Sequence, residues 1–153
     1  MDSEFRRKLI DLSNASAQEL VDIGKKAMRD FYRGLRAGGL DDERATNAVI
    51  MFTRLFVSAD RDCTRDEFLL FKAITGFDVN EDQFFEMTNY GSNSQFVNDI
   101  CEFASILTQE DRASMIVFGC AIISADGKIT DSEFALIDKL MSLPYKDWLI
   151  KQQ

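Results

Sequence analysis

The stretch SADGKITDSEF at residues 124–134 repeats the stretch SADRDCTRDEF at residues 58–68, with Ser, Ala, Asp, Thr, Glu and Phe at matching positions. The same offset of 66 positions also aligns Ile50 with Ile116, Phe52 with Phe118 and Leu70 with Leu136. Self-similarity at a fixed offset is the signature of a duplicated structural unit. We therefore predict two copies, copy 1 at about residues 44–75 and copy 2 at about 110–141, related by an internal pseudo-two-fold axis.

Each copy begins with an apolar segment, at about residues 44–58 and 110–124. Both segments are hydrophobic on nearly all sides, a pattern typical of helices at the centre of a bundle. We expect these two helices to pack against each other. Each is followed by a short Ser-Ala-Asp loop and an amphipathic helix, so both copies are helix-loop-helix units.

The second helix of each copy carries a capping box at its start. Thr64 is followed three residues later by Glu67, and Thr130 by Glu133. In this motif the threonine hydroxyl accepts from the backbone N–H of the glutamate, whose carboxylate accepts from the backbone N–H of the threonine. The spacing predicts where both helices begin.

The rest of the chain also has helical patterns, and no segment alternates as a β-strand would. We predict an all-α, single-domain bundle of about eight or nine helices over residues 1–153. One helix is expected from a capping box at Ser16 to about Leu35, where Gly34, Gly38 and Gly39 terminate it, and Asp41 is expected to cap the next helix. A short helix is expected from Asn80 to near Gly91, and another from Gln95 to Thr108. The last predicted boundary is at Pro144, where one helix stops before a final short helix that contains Trp148.

Composition indicates a globular cytoplasmic protein. Hydrophobic residues make up 46% and charged residues 29% of the chain, which is ordinary for a folded domain. The first residues are charged and no apolar stretch is long enough to span a bilayer, so we expect neither export nor membrane insertion. The cysteines Cys63, Cys101 and Cys120 are odd in number and widely spaced, which favours reduced thiols.

The net charge of −8 is unevenly distributed. Basic and acidic residues balance over residues 1–44, whereas residues 73–111 contain eight acidic residues and no Lys or Arg. An acidic surface repels phosphate backbones. We therefore predict no nucleic-acid partner.

The sequence offers little catalytic chemistry. It contains no His, which is the commonest general base near neutral pH and a frequent metal ligand. It has no nucleophile-elbow motif and no glycine-rich phosphate loop. We predict that the protein is not an enzyme and assign no catalytic residue and no organic cofactor.

The repeated acidic residues form the candidate binding site. If the two copies meet about a pseudo-two-fold axis, the side chains of Asp60, Glu67, Asp126 and Glu133 converge and suit a Mg²⁺, Ca²⁺ or Mn²⁺ ion. Asp62 and Asp131 are additional candidate binding residues. The loop at 124–133 differs from an EF-hand because it offers too few oxygen ligands. The alternative is structural: Asp126 and Gly127 make a turn, and Glu133 only caps its helix.

The doubled motif resembles the TerB-like (tellurite resistance) family over about residues 20–142. The sequence Ala-Asp-Gly-Lys-Ile-Thr-Asp-Ser-Glu at 125–133 matches its pattern, whereas copy 1 has Arg61 in place of Gly and Cys63 in place of the apolar residue. The resemblance implies a bacterial cytoplasmic protein linked to tellurite or general stress, with an acidic surface for cations or protein partners.

Two functions remain open from the sequence. The first is a non-enzymatic binding module that presents its repeated Asp and Glu residues to a divalent cation or a protein partner. The second is a scaffold or regulatory protein-interaction domain whose carboxylates are structural. In this second function, the candidate contacts with a partner protein are the aromatic residues Phe84, Phe85, Tyr90, Tyr145 and Trp148. The sequence does not predict the oligomeric state.

Overall fold

A computed structural model describes residues 3–60, 63–89 and 94–145, the side chains of Asp60 and Asn89 excepted. These residues form eight α-helices and two short 3₁₀ turns, and none of them lies in a β-strand. The elements in chain order are α1 (Ser3–Ser13), α2 (Ala17–Ala37), α3 (Asp42–Val57), the first 3₁₀ turn (Ser58–Asp60), α4 (Arg65–Thr75), α5 (Glu81–Asn89), α6 (Ser94–Ser105), α7 (Gln109–Ile123), the second 3₁₀ turn (Ser124–Asp126) and α8 (Asp131–Ser142).

The helix starts lie where the sequence predicts them. Capping boxes are present at Ser16, Thr64 and Thr130, at the starts of α2, α4 and α8. Asp41 caps α3 by accepting from the N–H of Arg44 at 2.8 Å. Short-range polar contacts therefore fix these starts. The all-α prediction is confirmed, since the described residues form eight α-helices and no β-strand.

Helix α7 is the central helix of the bundle. Nine of its 15 residues are buried. The predicted packing of α3 against α7 is confirmed, but the most extensive contact among the described elements is between α2 and α7. The buried residues of the described elements form one hydrophobic core.

Gly34 does not end α2, contrary to the sequence prediction. The helix continues to Ala37, and Gly38 forms its C-terminal cap. A Cβ atom at Gly34 would lie 2.0 Å from Asp111 Oδ1 on α7, so the missing side chain permits a close approach of the two helices. Gly119 of α7 has the same role beside the Phe56 ring of α3.

The two copies contact each other reciprocally. Helix α4 of copy 1 contacts the second 3₁₀ turn, and α8 of copy 2 contacts the first 3₁₀ turn. This exchange is what a pseudo-two-fold axis requires, although the axis itself stays a prediction. None of the described helices combines the length and apolar character needed to cross a membrane.

The predicted C-terminal stop is partly described. Helix α8 ends at Ser142, and Leu143 is its C-terminal cap with an extended backbone just before Pro144. The predicted short helix at Trp148 and the predicted helix end at Gly91 lie outside the described residues.

Candidate functional site

The start of α4 positions the first repeated carboxylate. The backbone N–H of Thr64 donates to Glu67 Oε1 at 2.9 Å, and the N–H of Glu67 donates to Thr64 Oγ1 at 3.2 Å. These bonds satisfy two backbone donors that a helix start otherwise leaves open. Glu67 is therefore held in one orientation by its own helix.

The start of α8 repeats this geometry. The N–H of Thr130 donates to Glu133 Oε1 at 2.8 Å, and the N–H of Glu133 donates to Thr130 Oγ1 at 3.2 Å. The two boxes agree within 0.1 Å in both bonds. The duplicated sequence therefore produces a duplicated local structure.

A side-chain hydrogen bond joins the two copies at this site. Thr64 Oγ1 lies 2.8 Å from Asp126 Oδ1 in the second 3₁₀ turn and 3.2 Å from Glu67 Oε1. A hydroxyl has one proton to donate. The shorter distance assigns that proton to Asp126, while the hydroxyl oxygen accepts from the N–H of Glu67. Thr64 Oγ1 therefore contacts both Glu67 of copy 1 and Asp126 of copy 2.

The glutamates of the capping boxes at Thr64 and Thr130 are both buried. The exposed fraction is 0% for Glu67 and 1% for Glu133. A buried carboxylate is tolerated where it accepts hydrogen bonds, and the positive end of a helix dipole adds to its stabilisation. Burial, together with the nearby Glu133 carboxylate, raises the pKa of the Cys120 thiol well above its usual value. Cys120 is accordingly a neutral core residue.

Of the remaining predicted site residues, only Asp131 has a described side chain. Asp131 is exposed in the first turn of α8. Asp62 lies outside the described residues, as does the side chain of Asp60. Over residues 3–60, 63–89 and 94–145, no group of three or more His, Cys, Asp or Glu side chains is arranged to hold a metal ion. The predicted site of four carboxylates therefore stays a prediction that depends on Asp60.

The described residues among the aromatic candidates differ in burial. Phe84 is buried and packs against Phe68 and Phe71, so it belongs to the core and is not a surface contact. Phe85 is half-buried and Tyr145 is exposed. Tyr90 and Trp148 lie outside the described residues.

Arg112 is a buried cation that the sequence pattern does not identify. Arg112 on α7 is 1% exposed, and its guanidinium donates to the carbonyls of Leu143 at 2.6 Å and Pro144 at 3.0 Å. It also lies 3.7 Å from the centre of the Tyr145 ring. The available signal was one Arg between the acidic stretch and the apolar part of α7, but nothing in the sequence identified its partners.

The sequence pattern also does not identify a surface groove. A cavity of about 320 Å³ lies between the start of α2, the outer face of α4 and the second 3₁₀ turn. Its lining is mainly apolar and includes Val21, Leu69 and Ala125. A usable signal was Leu69, because Arg65, Asp66 and Lys72 lie at helical spacing from it, and a large apolar residue on a charged helix face lies outside the core.

Comparison with protein-family models, with curated proteins and with solved structures found no match for the chain. The resemblance to the TerB-like family therefore stays a prediction from the repeated motif, above all from Asp126, Gly127 and the Thr130–Glu133 box. The geometry adds three facts about that motif: paired capping boxes, buried glutamates and a hydrogen bond between the copies.

Proposed function

We propose that this chain is a non-enzymatic, acidic protein-interaction module whose repeated carboxylates hold its two helix-loop-helix copies together. The single observation that carries the proposal is the Thr64 hydroxyl, which accepts from the N–H of Glu67 and donates to Asp126 across the copies. A role in a bacterial stress or tellurite response comes from the TerB-like motif and is part of the same proposal.

The hydrogen bonds favour the structural role over cation binding. Oε1 of both Glu67 and Glu133 accepts from a backbone N–H of a capping box. Ca²⁺ takes about six to eight oxygen ligands, and Mg²⁺ requires a near-ideal octahedron. A cation that used these oxygens would have to compete with the bonds that start α4 and α8.

The charge of the chain favours a basic partner. The net charge is −8, and an acidic surface increases the rate at which a positively charged protein associates. The same field disfavours nucleic acid and anionic lipid.

Calorimetric titration separates the structural role from cation binding. We expect no saturable heat when Ca²⁺, Mg²⁺ or Mn²⁺ is added to the wild-type chain. Saturable binding that is lost in Asp126→Asn with Glu133→Gln, but retained in the exposed control Asp30→Asn, would show a cation site and contradict the proposal. Thermal unfolding of each variant identifies any loss of heat that comes from unfolding.

Affinity capture from the cells of origin tests the interaction role. We expect the folded chain to retain a defined basic protein at about 0.1 M salt and to release most of it at about 1 M, because the Debye length falls from about 10 Å to about 3 Å. Retention that does not change with salt would contradict recognition through charge.

A further inference from the structure

The groove beside α4 is a mainly apolar cavity at the surface of the bundle. It is lined by Ala17 and Val21 of α2, by Asp66, Leu69 and Ala73 of α4, and by Ala125 of the second 3₁₀ turn. Its volume of about 320 Å³ is at the lower end of the range of ligand pockets. This space suits one or two large apolar side chains of a partner, and not an extended protein surface.

Part of the apolar surface of α4 faces this groove and is not buried in the core. The helix buries Phe68, Phe71 and Ile74 on its inner side. Leu69 lies on the outer side, where 47% of its surface is exposed. Asp66, Leu69 and Ala73 have the spacing of a single helical stripe. This stripe therefore lies outside the core and consists of one carboxylate, Asp66, followed by two apolar residues, Leu69 and Ala73.

Copy 2 does not share this stripe. The framework residues Thr64, Glu67 and Phe68 are repeated as Thr130, Glu133 and Phe134. The stripe residues Asp66, Leu69 and Ala73 instead correspond to Ser132, Ala135 and Lys139. The duplicated fold thus tolerates polar or smaller residues at these positions, and the stripe of Asp66, Leu69 and Ala73 is specific to copy 1.

Asp66 determines the charge of the groove. Among the described residues that line the cavity it is the only charged one, and it makes no ion pair with another described residue. An exposed carboxylate next to an apolar slot is complementary to a partner that combines apolar side chains with Lys or Arg.

We propose that this groove docks an amphipathic basic helix of another protein. Apolar side chains at helical spacing enter between Val21 and Leu69, and a Lys or Arg one turn away pairs with Asp66. Slots between helices bind helical segments in this way. The inference rests on the proposed interaction function and names the surface and the chemistry of the partner.

Fluorescence anisotropy with designed peptides tests this docking site. The probe is a labelled 18-residue amphipathic helix of Leu and Lys. One control peptide has Glu at the Lys positions, and another has the same composition in scrambled order. We expect saturable binding of the Leu-Lys helix to the full chain and affinity at least about tenfold lower for both controls, since they lose the charge match or the apolar stripe.

Protein variants locate the binding. Leu69→Lys is expected to lower the affinity about tenfold or more, because it places a charge in the apolar slot. Asp66→Asn is expected to lower it about two- to fivefold, the size of an exposed ion pair. Met141→Lys changes another exposed apolar residue, and Asp82→Asn, on α5, changes another exposed first-turn aspartate; both should stay within about twofold.

Two results would overturn the docking site. The first is equal binding by Leu69→Lys and wild type, with both retaining the wild-type circular dichroism melt. The second is self-association in sedimentation that Leu69→Lys abolishes, because the occupant would then be a second copy of this chain. Neither result requires a cation site, so failure of the groove is distinguishable from failure of the proposed function.

Discussion

Thr64 Oγ1 lies 2.8 Å from Asp126 Oδ1, so the residue that caps α4 in copy 1 also holds the turn of copy 2. The two residues are 62 positions apart in the chain. One side chain therefore connects a local feature, the start of a helix, with a long-range one, the contact between copies. Loss of this hydroxyl should weaken both.

A double-mutant cycle measures the long-range part. Asp126→Ala removes the acceptor and leaves the Thr64 capping box intact, whereas Thr64→Ala removes both. We expect a coupling energy of about 0.5–1.5 kcal/mol between the two positions, the net value of one partly buried hydrogen bond. Urea unfolding of the wild type, both single variants and the double variant provides the four free energies. Additive single effects would show that the bond contributes nothing to stability.

Features that depend on neighbouring residues could be predicted from the sequence. The capping boxes at Thr64 and Thr130 need only residues three positions apart, and their predicted starts are confirmed. The apolar pattern of α7 likewise predicted a central helix, because a helix without a polar face must be buried.

Features that depend on a distant partner could not be predicted. The nearby Gly38 and Gly39 make Gly34 part of a predicted helix terminator, whereas its neighbour in space is Asp111 on α7. Arg112 and the groove at Leu69 depend in the same way on elements that are far apart in the chain. The hydrogen-bond partner of Asp126 is a further case, since periodicity does not specify which carboxylate meets which hydroxyl.

Gly119 should tolerate no side chain. A Cβ atom there would lie 2.3 Å from the ring of Phe56, which is itself 1% exposed and cannot move aside. We expect Gly119→Ala to lower the free energy of unfolding by about 1–3 kcal/mol, as overpacked cores do. Gly38→Ala is the control, because its nearest atom would be 3.4 Å away; it should stay within about 0.5 kcal/mol. Equal stability of the two variants in urea unfolding would contradict the close packing of α3 and α7.

Asp111 should make stability depend on pH. Burial raises its pKa above the ordinary 3.8, an effect that a hydrogen bond from Thr108 opposes and Glu110 reinforces. The folded state then binds the proton more tightly than the unfolded state, so this contribution is complete below about pH 3.8 and is lost as pH rises through the folded pKa. We expect the free energy of unfolding of the wild type, relative to Asp111→Asn, to increase as the pH falls from about 7 to about 4. Urea titrations at several pH values measure this difference, and a decrease over the same range would contradict it.

Arg112 should contribute to the stability of the fold through its hydrogen-bond donors as well as through its size. Its two hydrogen bonds go to the carbonyls of Leu143 and Pro144, just beyond the end of α8, where the helix dipole is negative. Arg112→Met keeps most of the volume but leaves both carbonyls without these donors, so we expect a loss of about 2–4 kcal/mol in the free energy of unfolding. Arg29→Met, at an exposed position on α2, is the matched control and should change stability by less than about 0.5 kcal/mol. If urea unfolding gives the same stability for both variants, the guanidinium contributes no more than an exposed side chain does, and its bonds to the end of α8 do not stabilise the fold.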